Sequence, residues 1–275
     1  MSKLSSRTRM MIVTTVLAVA YFILQESDFR VLLNLEFNFD PIKPFILSLL
    51  AYLGGMWALF FKVRGERLVT ILLFPAIGVF ALSLFAELVI LAVFSELGQF
   101  SLVLVSSIFF WVFTYIMLLT INILNAAHEA DIPLGQAARA SQFVLTLVIS
   151  YIVFFLLFSN DLFILFKLSG FLLLGTILVY IALWSINMRV QQRFTASLGI
   201  GILLTFAGSV LSVWPVPSPY LALALSLLLY VTLGISLEIR EIISRWVWVE
   251  YISLFILIAA MLSLVAEWGI NGTLI

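Results

Sequence analysis

The chain has 275 residues, of which 64% are hydrophobic and 10% are charged, and its fourteen basic residues balance its fourteen acidic ones. Because a soluble protein carries roughly a quarter charged residues, this composition excludes a mainly water-exposed chain and predicts an integral membrane protein. The zero net charge predicts no nucleic-acid partner, and the absence of cysteine excludes disulfides and thiolate chemistry.

Glycine, proline and charged clusters divide the chain into nine continuously apolar segments. As a helix, a run of about 18 such residues crosses a hydrocarbon layer of ~30 Å, whereas a β-barrel would need alternating polarity. We therefore predict an all-α bundle of about nine transmembrane helices that forms one polytopic membrane domain, 1–275. The predicted spans are 10–25, 44–61, 68–94, 101–126, 136–159, 162–187, 195–213, 219–238 and 246–266.

The first span also resembles a signal peptide, since basic residues precede a short apolar stretch that contains AVA at 18–20. No polar segment precedes that site, and the apolar sequence YFIL follows it. We therefore expect an uncleaved helix.

Between the first two spans, apolar and polar residues alternate over 33–40, in the sequence LNLEFNFD. This period of two is typical of a β-strand. Because an isolated strand leaves its edges unsatisfied, it must rest in the membrane interface, pair within the chain or add to a partner's sheet. We favour an interfacial or intrachain position.

The division between the fifth and sixth spans depends on the sequence SNDLF at 159–163. Asn160 and Asp161 favour a tight turn, and Asp161 is the predicted N-cap of the sixth helix.

The basic residues predict the orientation of the chain, because loops rich in lysine and arginine stay in the cytoplasm. Only Arg30 and Lys43 fall on the side opposite the amino terminus, and Lys167 lies inside a span. We therefore predict a cytoplasmic N-terminus, an outer C-terminus and a location in a cell membrane, that of a prokaryote. The basic residues on the inner side are Lys3, Arg7, Arg9, Lys62, Arg64, Arg67, Arg139, Arg189, Arg193, Arg240 and Arg245.

The segment NAAHEADIPLGQ, 125–136, contains the only histidine and lies between the fourth and fifth spans. His128 lacks a second histidine one helical turn away, so the segment does not form a zinc-protease motif. Asp131 before a proline predicts a helix stop and restart. Asn122, Asn125 and Glu129 share one face of the fourth helix. We interpret the segment as a hinge with a polar facing surface, although a ligand-binding or proton-handling role, or metal or nucleophilic catalysis, stays open.

Three further ionisable residues lie inside predicted spans, where a charge is costly and often functional. At the helical rise, Glu87 lies about 28 Å from the inner end of its span and Lys167 about 9 Å below the outer surface. These two residues could pair or could reach the headgroups independently. Glu250, about 8 Å from the inner boundary, is too far from either.

Small residues recur every four positions in the seventh span and allow another helix to approach closely. This ladder consists of Ser197, Gly201, Thr205 and Ser209, and Ala51 and Gly55 repeat the pattern in the second span. We expect packing within the bundle, with a homodimer or partner interface as the alternative.

Three functions remain compatible with these features. We favour a non-enzymatic scaffold or a subunit of a membrane assembly, because no constellation of catalytic residues and no cofactor motif is present and the loops are short. The alternative is a small permease for an apolar or lipid-like solute. A third hypothesis is an intramembrane enzyme for a lipid-linked substrate. Its available polar residues are His128, Glu129, Asp131 and Arg139 at the predicted cytoplasmic face. The lipid bilayer is the one predicted partner common to all three.

Overall fold

The computed structural model describes residues 5–26, 42–59, 66–87, 99–129, 134–160, 163–184, 188–238 and 245–265, with some residues at helix ends described by backbone alone. Within these ranges the regular structure is entirely helical. The helices are α1 (Ser6–Glu26), α2 (Ile42–Ala58), α3 (Glu66–Phe85), α4 (Gln99–Glu129), α5 (Leu134–Ser159), α6 (Ile164–Leu183), α7 (Val190–Leu211), α8 (Ser218–Glu238) and α9 (Arg245–Val265).

Each predicted span overlaps one of these helices, and the ends agree to within a few residues where both are described. The predicted end of the third span at 94 and the alternating segment 33–40 lie outside the described residues. The helical form follows from composition, because a backbone in hydrocarbon must satisfy its own hydrogen bonds.

Six helical segments in the described part of the chain are long and apolar enough to cross a membrane. They are Ser6–Gln25, Phe100–Ala127, Leu134–Ser159, Ile164–Leu183, Val190–Leu211 and Ser218–Ser236. Shorter apolar segments, Ile42–Ala58, Leu72–Phe85 and Val249–Val265, belong to α2, α3 and α9. The structure therefore supports a helical membrane protein.

The chain divides into two compact units, Met1–Leu145 and Thr146–Ile275, with the boundary inside α5. The single membrane domain stays a prediction, and each unit is described separately below.

In the first unit, α1 to α4 form a closed ring in which α1 contacts both α2 and α4, and α3 contacts both α2 and α4. Adjacent helices run in opposite directions. The start of α1 meets the end of α4 through Ser6 and Asn122, and it meets the end of α2 through Arg9 and Trp57. The ring therefore places these three helix ends on one side of the unit.

Aromatic side chains fill the opposite half of this ring. Tyr21 of α1 stacks on Phe110 of α4 with their ring centroids 4.7 Å apart, and its hydroxyl donates to Ser106 Oγ at 3.3 Å. Both Tyr21 and Phe110 are almost fully buried. Because adjacent rings gain from offset stacking, this contact fixes α1 against α4.

In the second unit, α6 and α7 form a tight antiparallel pair, α8 packs against both, and α9 packs against α8. Phe171 of α6 is buried beside Gly208 of α7, and Phe154 and Phe158 of α5 contact the same phenylalanine ring. Only 28% of the 18-residue apolar stretch of α6 is buried, and 22% of that of α7. Both helices therefore have broad exposed apolar faces.

Two connections explain how this unit changes direction. Helix α5 ends at Ser159, and the side-chain amide of Asn160 donates to Leu156 O at 2.7 Å, which supports the predicted turn. Phe163 occupies the N-cap position of α6 and makes no side-chain capping bond. The predicted N-cap at Asp161 is therefore wrong. Asp161 itself lies outside the described residues. Between α7 and α8, the carbonyl of Pro217 accepts the first helical bond from Tyr220.

Candidate functional site

The hinge around the only histidine is described in part. Helix α4 ends at Glu129 and α5 begins at Leu134, in agreement with the predicted stop and restart. A Cβ on Gly135 would lie 3.0 Å from the Cβ of Ala127, so α5 begins in close contact with the end of α4. The side chains of His128 and Glu129, and all of Asp131, lie outside the described part of the structure.

The polar residues nearest this hinge differ in their burial and in their contacts. The hydroxyl of Ser6 donates to Oδ1 of Asn122 at 3.1 Å and joins α1 to α4. Asn125 is half-buried on the same helix, and Arg139 is exposed on α5. Asn122 therefore bonds a neighbouring helix, which is the ordinary structural use of an amide inside a helical bundle.

Arg9 is a buried cation that sequence analysis treated only as a topological signal. Its side chain is 3% exposed, and Nη1 donates to the carbonyl oxygen of Trp57 at 3.4 Å. A sequence signal for this burial exists, because Arg9 lies four residues before Val13 and eight before Leu17 on the buried face of α1. The long apolar stem of Arg9 lets the guanidinium reach the end of α2 from the start of α1.

Arg193 is the corresponding buried cation of the second unit, with 5% of its surface exposed. Its guanidinium lies over the ring of Tyr180, 5.5 Å from the centroid, and Nη2 donates to Met188 O at 3.1 Å. Arginine over an aromatic face gains a cation–π attraction. Arg193 lies four residues before Ser197 and so continues the spacing of the predicted small-residue ladder. That spacing predicts that Arg193 shares the buried face of α7, which the sequence analysis missed.

Two ionisable candidates, Glu87 and Lys167, belong to different units of the chain. Glu87 of the first unit is half-buried and close enough to Tyr21 for an electrostatic interaction. Lys167 of the second unit is half-buried near the start of α6. Their pairing stays a prediction.

Glu250 is exposed on α9 and accepts a hydrogen bond from the hydroxyl of Tyr230 at 3.0 Å. Tyr230 also meets Tyr251 edge to face, with centroids 6.0 Å apart, and the hydroxyl of Tyr251 lies against Gly234. Glu250 therefore helps to join α8 to α9.

The small-residue ladder of α7 lies partly on the contact with α6. Ser197 and Gly201 are buried, and Gly201 lies directly against Thr176. Thr205 and Ser209 are half-buried and bond to backbone carbonyls of their own helix.

Further along α7, the residues that contact α6 are Leu204 and Gly208 rather than Thr205 and Ser209. The reason is geometric: steps of four residues on a helix of 3.6 residues per turn rotate by about 40° each, so Thr205 and Ser209 move off the seam.

The second small-residue pair lies inside the ring of the first unit. Ala51 and Gly55 are both buried on α2. A Cβ on Gly55 would lie 2.8 Å from Cδ2 of Leu72 and 3.7 Å from Cδ2 of Leu118. Gly55 therefore lets side chains of α3 and α4 approach α2.

An apolar groove lies between α7, α8 and α9 and has a volume of about 310 Å³. Its walls include Phe206 and Val210 of α7, Val231 of α8, and Phe255 of α9, with Trp214 at the end near the α7–α8 connection. Sequence analysis did not find this groove, because its wall residues are individually ordinary apolar residues of a membrane helix.

The described residues include no group of three or more histidine, cysteine, aspartate or glutamate side chains placed to hold a metal ion. The chain matches no protein-family profile, no curated protein and no solved structure.

Proposed function

We propose that this chain is a multi-pass protein of a prokaryotic cytoplasmic membrane, with nine spans, a cytoplasmic N-terminus and an outer C-terminus. Six apolar helices of sufficient length support the membrane assignment. Helix α2, with 17 residues, is about 26 Å long at the helical rise, and a mismatch of a few ångströms to a ~30 Å layer costs little. The antiparallel ring of α1 to α4 supports alternating spans.

The proposed orientation can be tested directly because the chain contains no cysteine. Single cysteines replace exposed residues beside three helix ends: Ser5, Gln136 and Pro215. We expect a membrane-impermeant maleimide to label Pro215→Cys in intact cells, and Ser5→Cys and Gln136→Cys only after permeabilisation. Labelling of Ser5→Cys and Pro215→Cys from the same side would contradict the topology.

We propose that the protein acts as a non-enzymatic scaffold or as a subunit of a membrane assembly. One observation carries this proposal: two of the candidate polar side chains, Asn122 and Glu250, each bond a neighbouring helix of their own unit. Such bonds hold helices together, whereas a reaction centre needs polar groups that converge on a substrate. The broad exposed faces of α6 and α9 would supply the surface for a partner.

Photo-crosslinking at exposed and buried positions tests the assembly. A photoreactive amino acid would replace Phe166 of α6 or Ile256 of α9, which are 68% and 62% exposed, with buried Leu178 as the control position. We expect a discrete protein adduct from at least one exposed position and none from Leu178. A purified monomer without adducts from either exposed position would contradict the proposal.

A permease for an apolar or lipid-like solute is the second candidate function, and the groove between α7, α8 and α9 favours it. Reconstituted vesicles would measure it: flux of an apolar fluorescent solute above that of protein-free vesicles supports a permease. Equal flux in both preparations contradicts it.

A further inference from the structure

We propose that the groove between α7, α8 and α9 holds one acyl chain of a membrane lipid. This inference is independent of whether the protein works as a scaffold or as a permease, because it concerns a lipid site inside the second unit. Size, depth and chemistry of the groove all point to this occupant.

The depth of the groove matches a chain that enters from one membrane surface. Its end at Trp214 belongs to the connection between α7 and α8, where tryptophan is favoured at the membrane interface. On α8, the walls run from Ala224 to Val231, which corresponds to about 10 Å of helix length at 1.5 Å per residue. The groove therefore extends from the interface into one leaflet, as the chain of a lipid with an interfacial headgroup would.

The chemistry of the walls selects hydrocarbon. The three helices contribute alanine, valine, leucine, isoleucine and phenylalanine to the lining, and the α7–α8 connection contributes one tryptophan. In an apolar solvent there is no hydrophobic gain from burial, so occupancy depends on close van der Waals contact. An acyl chain with helices on three sides makes more such contacts than a chain on an open helix face.

The volume of the groove suits a narrow occupant. At about 310 Å³, it is at the small end of the range for ligand pockets. One acyl chain is such an occupant, and a protein segment in its place is an outcome of the test.

Two adjacent alanines of α9 provide a matched pair for the test. Both are exposed, but Ala259 lines the groove and Ala260 does not. The full chain would be reconstituted in vesicles of phosphatidylethanolamine and phosphatidylglycerol that contain a trace of phosphatidylethanolamine with a diazirine in mid-chain. After irradiation, mass spectrometry would locate the labelled residues.

We expect the label to concentrate on groove residues of α7, α8 and α9, including Val210 and Phe255. Ala259→Phe should lower that labelling several-fold, and Ala260→Phe should leave it unchanged. Circular dichroism and size-exclusion chromatography would show that both variants fold.

Three outcomes would overturn the inference. They are label spread evenly over all exposed helix faces of the wild-type chain, an equal response of the two variants, and no label on the groove residues because a protein segment covers them. The first measurement needs no variant, so the inference remains testable if Ala259→Phe does not fold.

Discussion

In the first unit, side chains fill the space between four helices, whereas in the second unit α6 and α7 approach until Gly201 of α7 lies close to the backbone of α6. Tyr21 and Phe110 stack across the first interface, and Gly201 lies against Thr176 and near the carbonyl oxygen of Leu172 in the second. A flexible side chain can move aside when its neighbour grows, but a helix backbone cannot. The same addition of a methyl group should therefore have different consequences in the two units.

The largest effect is expected for Gly201→Ala. The new Cβ would lie 3.3 Å from the backbone oxygen of Leu172 and would overlap the Thr176 side chain, so α6 and α7 must separate. We expect the free energy of unfolding to fall by about 2 to 3 kcal/mol. Unfolding in mixed micelles measures this change.

Gly199→Ala provides its control on the same helix, because nothing lies within 4 Å of a Cβ at that position. Replacing a helical glycine by alanine there should stabilise the helix by up to about 1 kcal/mol. Equal losses for the two variants would show that α6 and α7 are not held by this close contact.

A smaller effect is expected for Gly55→Ala in the first unit. Its Cβ would meet the ends of the Leu72 and Leu118 side chains, which can rotate away. We expect a loss of about 1 kcal/mol, measured by the same unfolding assay. If Gly55→Ala destabilises more than Gly201→Ala, the contrast between the two units is wrong.

The buried arginine of the second unit should contribute through its aromatic contact. A double-mutant cycle with Arg193→Met and Tyr180→Leu should give a coupling energy of about 0.5 to 1 kcal/mol. The exposed Arg139 supplies the control, since Arg139→Met should leave stability unchanged. Zero coupling between Arg193 and Tyr180 would mean that their proximity contributes no stability.

The smallest effect is expected for the hydrogen bond between Ser6 and Asn122, 3.1 Å long. Hydrogen bonds between membrane helices average about 0.6 kcal/mol, and we expect a coupling of this size from Ser6→Ala and Asn122→Ala. A coupling above 2 kcal/mol would instead indicate that the bond organises this end of the ring.

The sequence was a good guide to helices and a poor one to their contact faces. The break at Asn160 and the restart after Pro133 were predictable, because prolines and polar residues interrupt apolar runs in recognisable ways. The burial of Arg9 was visible in its spacing from Val13, but its positive charge also fitted a topological role. Deciding between the two required the position of α2, whose Trp57 carbonyl accepts its hydrogen bond.

The candidate site divides in the same way. Asn122 and Glu250 were recognisable as unusual polar residues in apolar surroundings, yet only the neighbouring helices assign them to Ser6 and Tyr230. The groove beside Trp214 had no sequence signal. The same apolar residue types form both grooves and flat helix faces, so the sequence does not distinguish them.

The sequence by itself determined a helical membrane protein, since apolar runs of this length can satisfy their backbone in hydrocarbon only as helices. Tertiary structure alone decided which side of each helix meets another helix and which side stays exposed. All faces of such a helix are apolar, so the shape of the side chains decides which face packs against another helix. Gly201 and Gly208 of α7 fit against α6, whereas Phe206 is exposed and lines the groove.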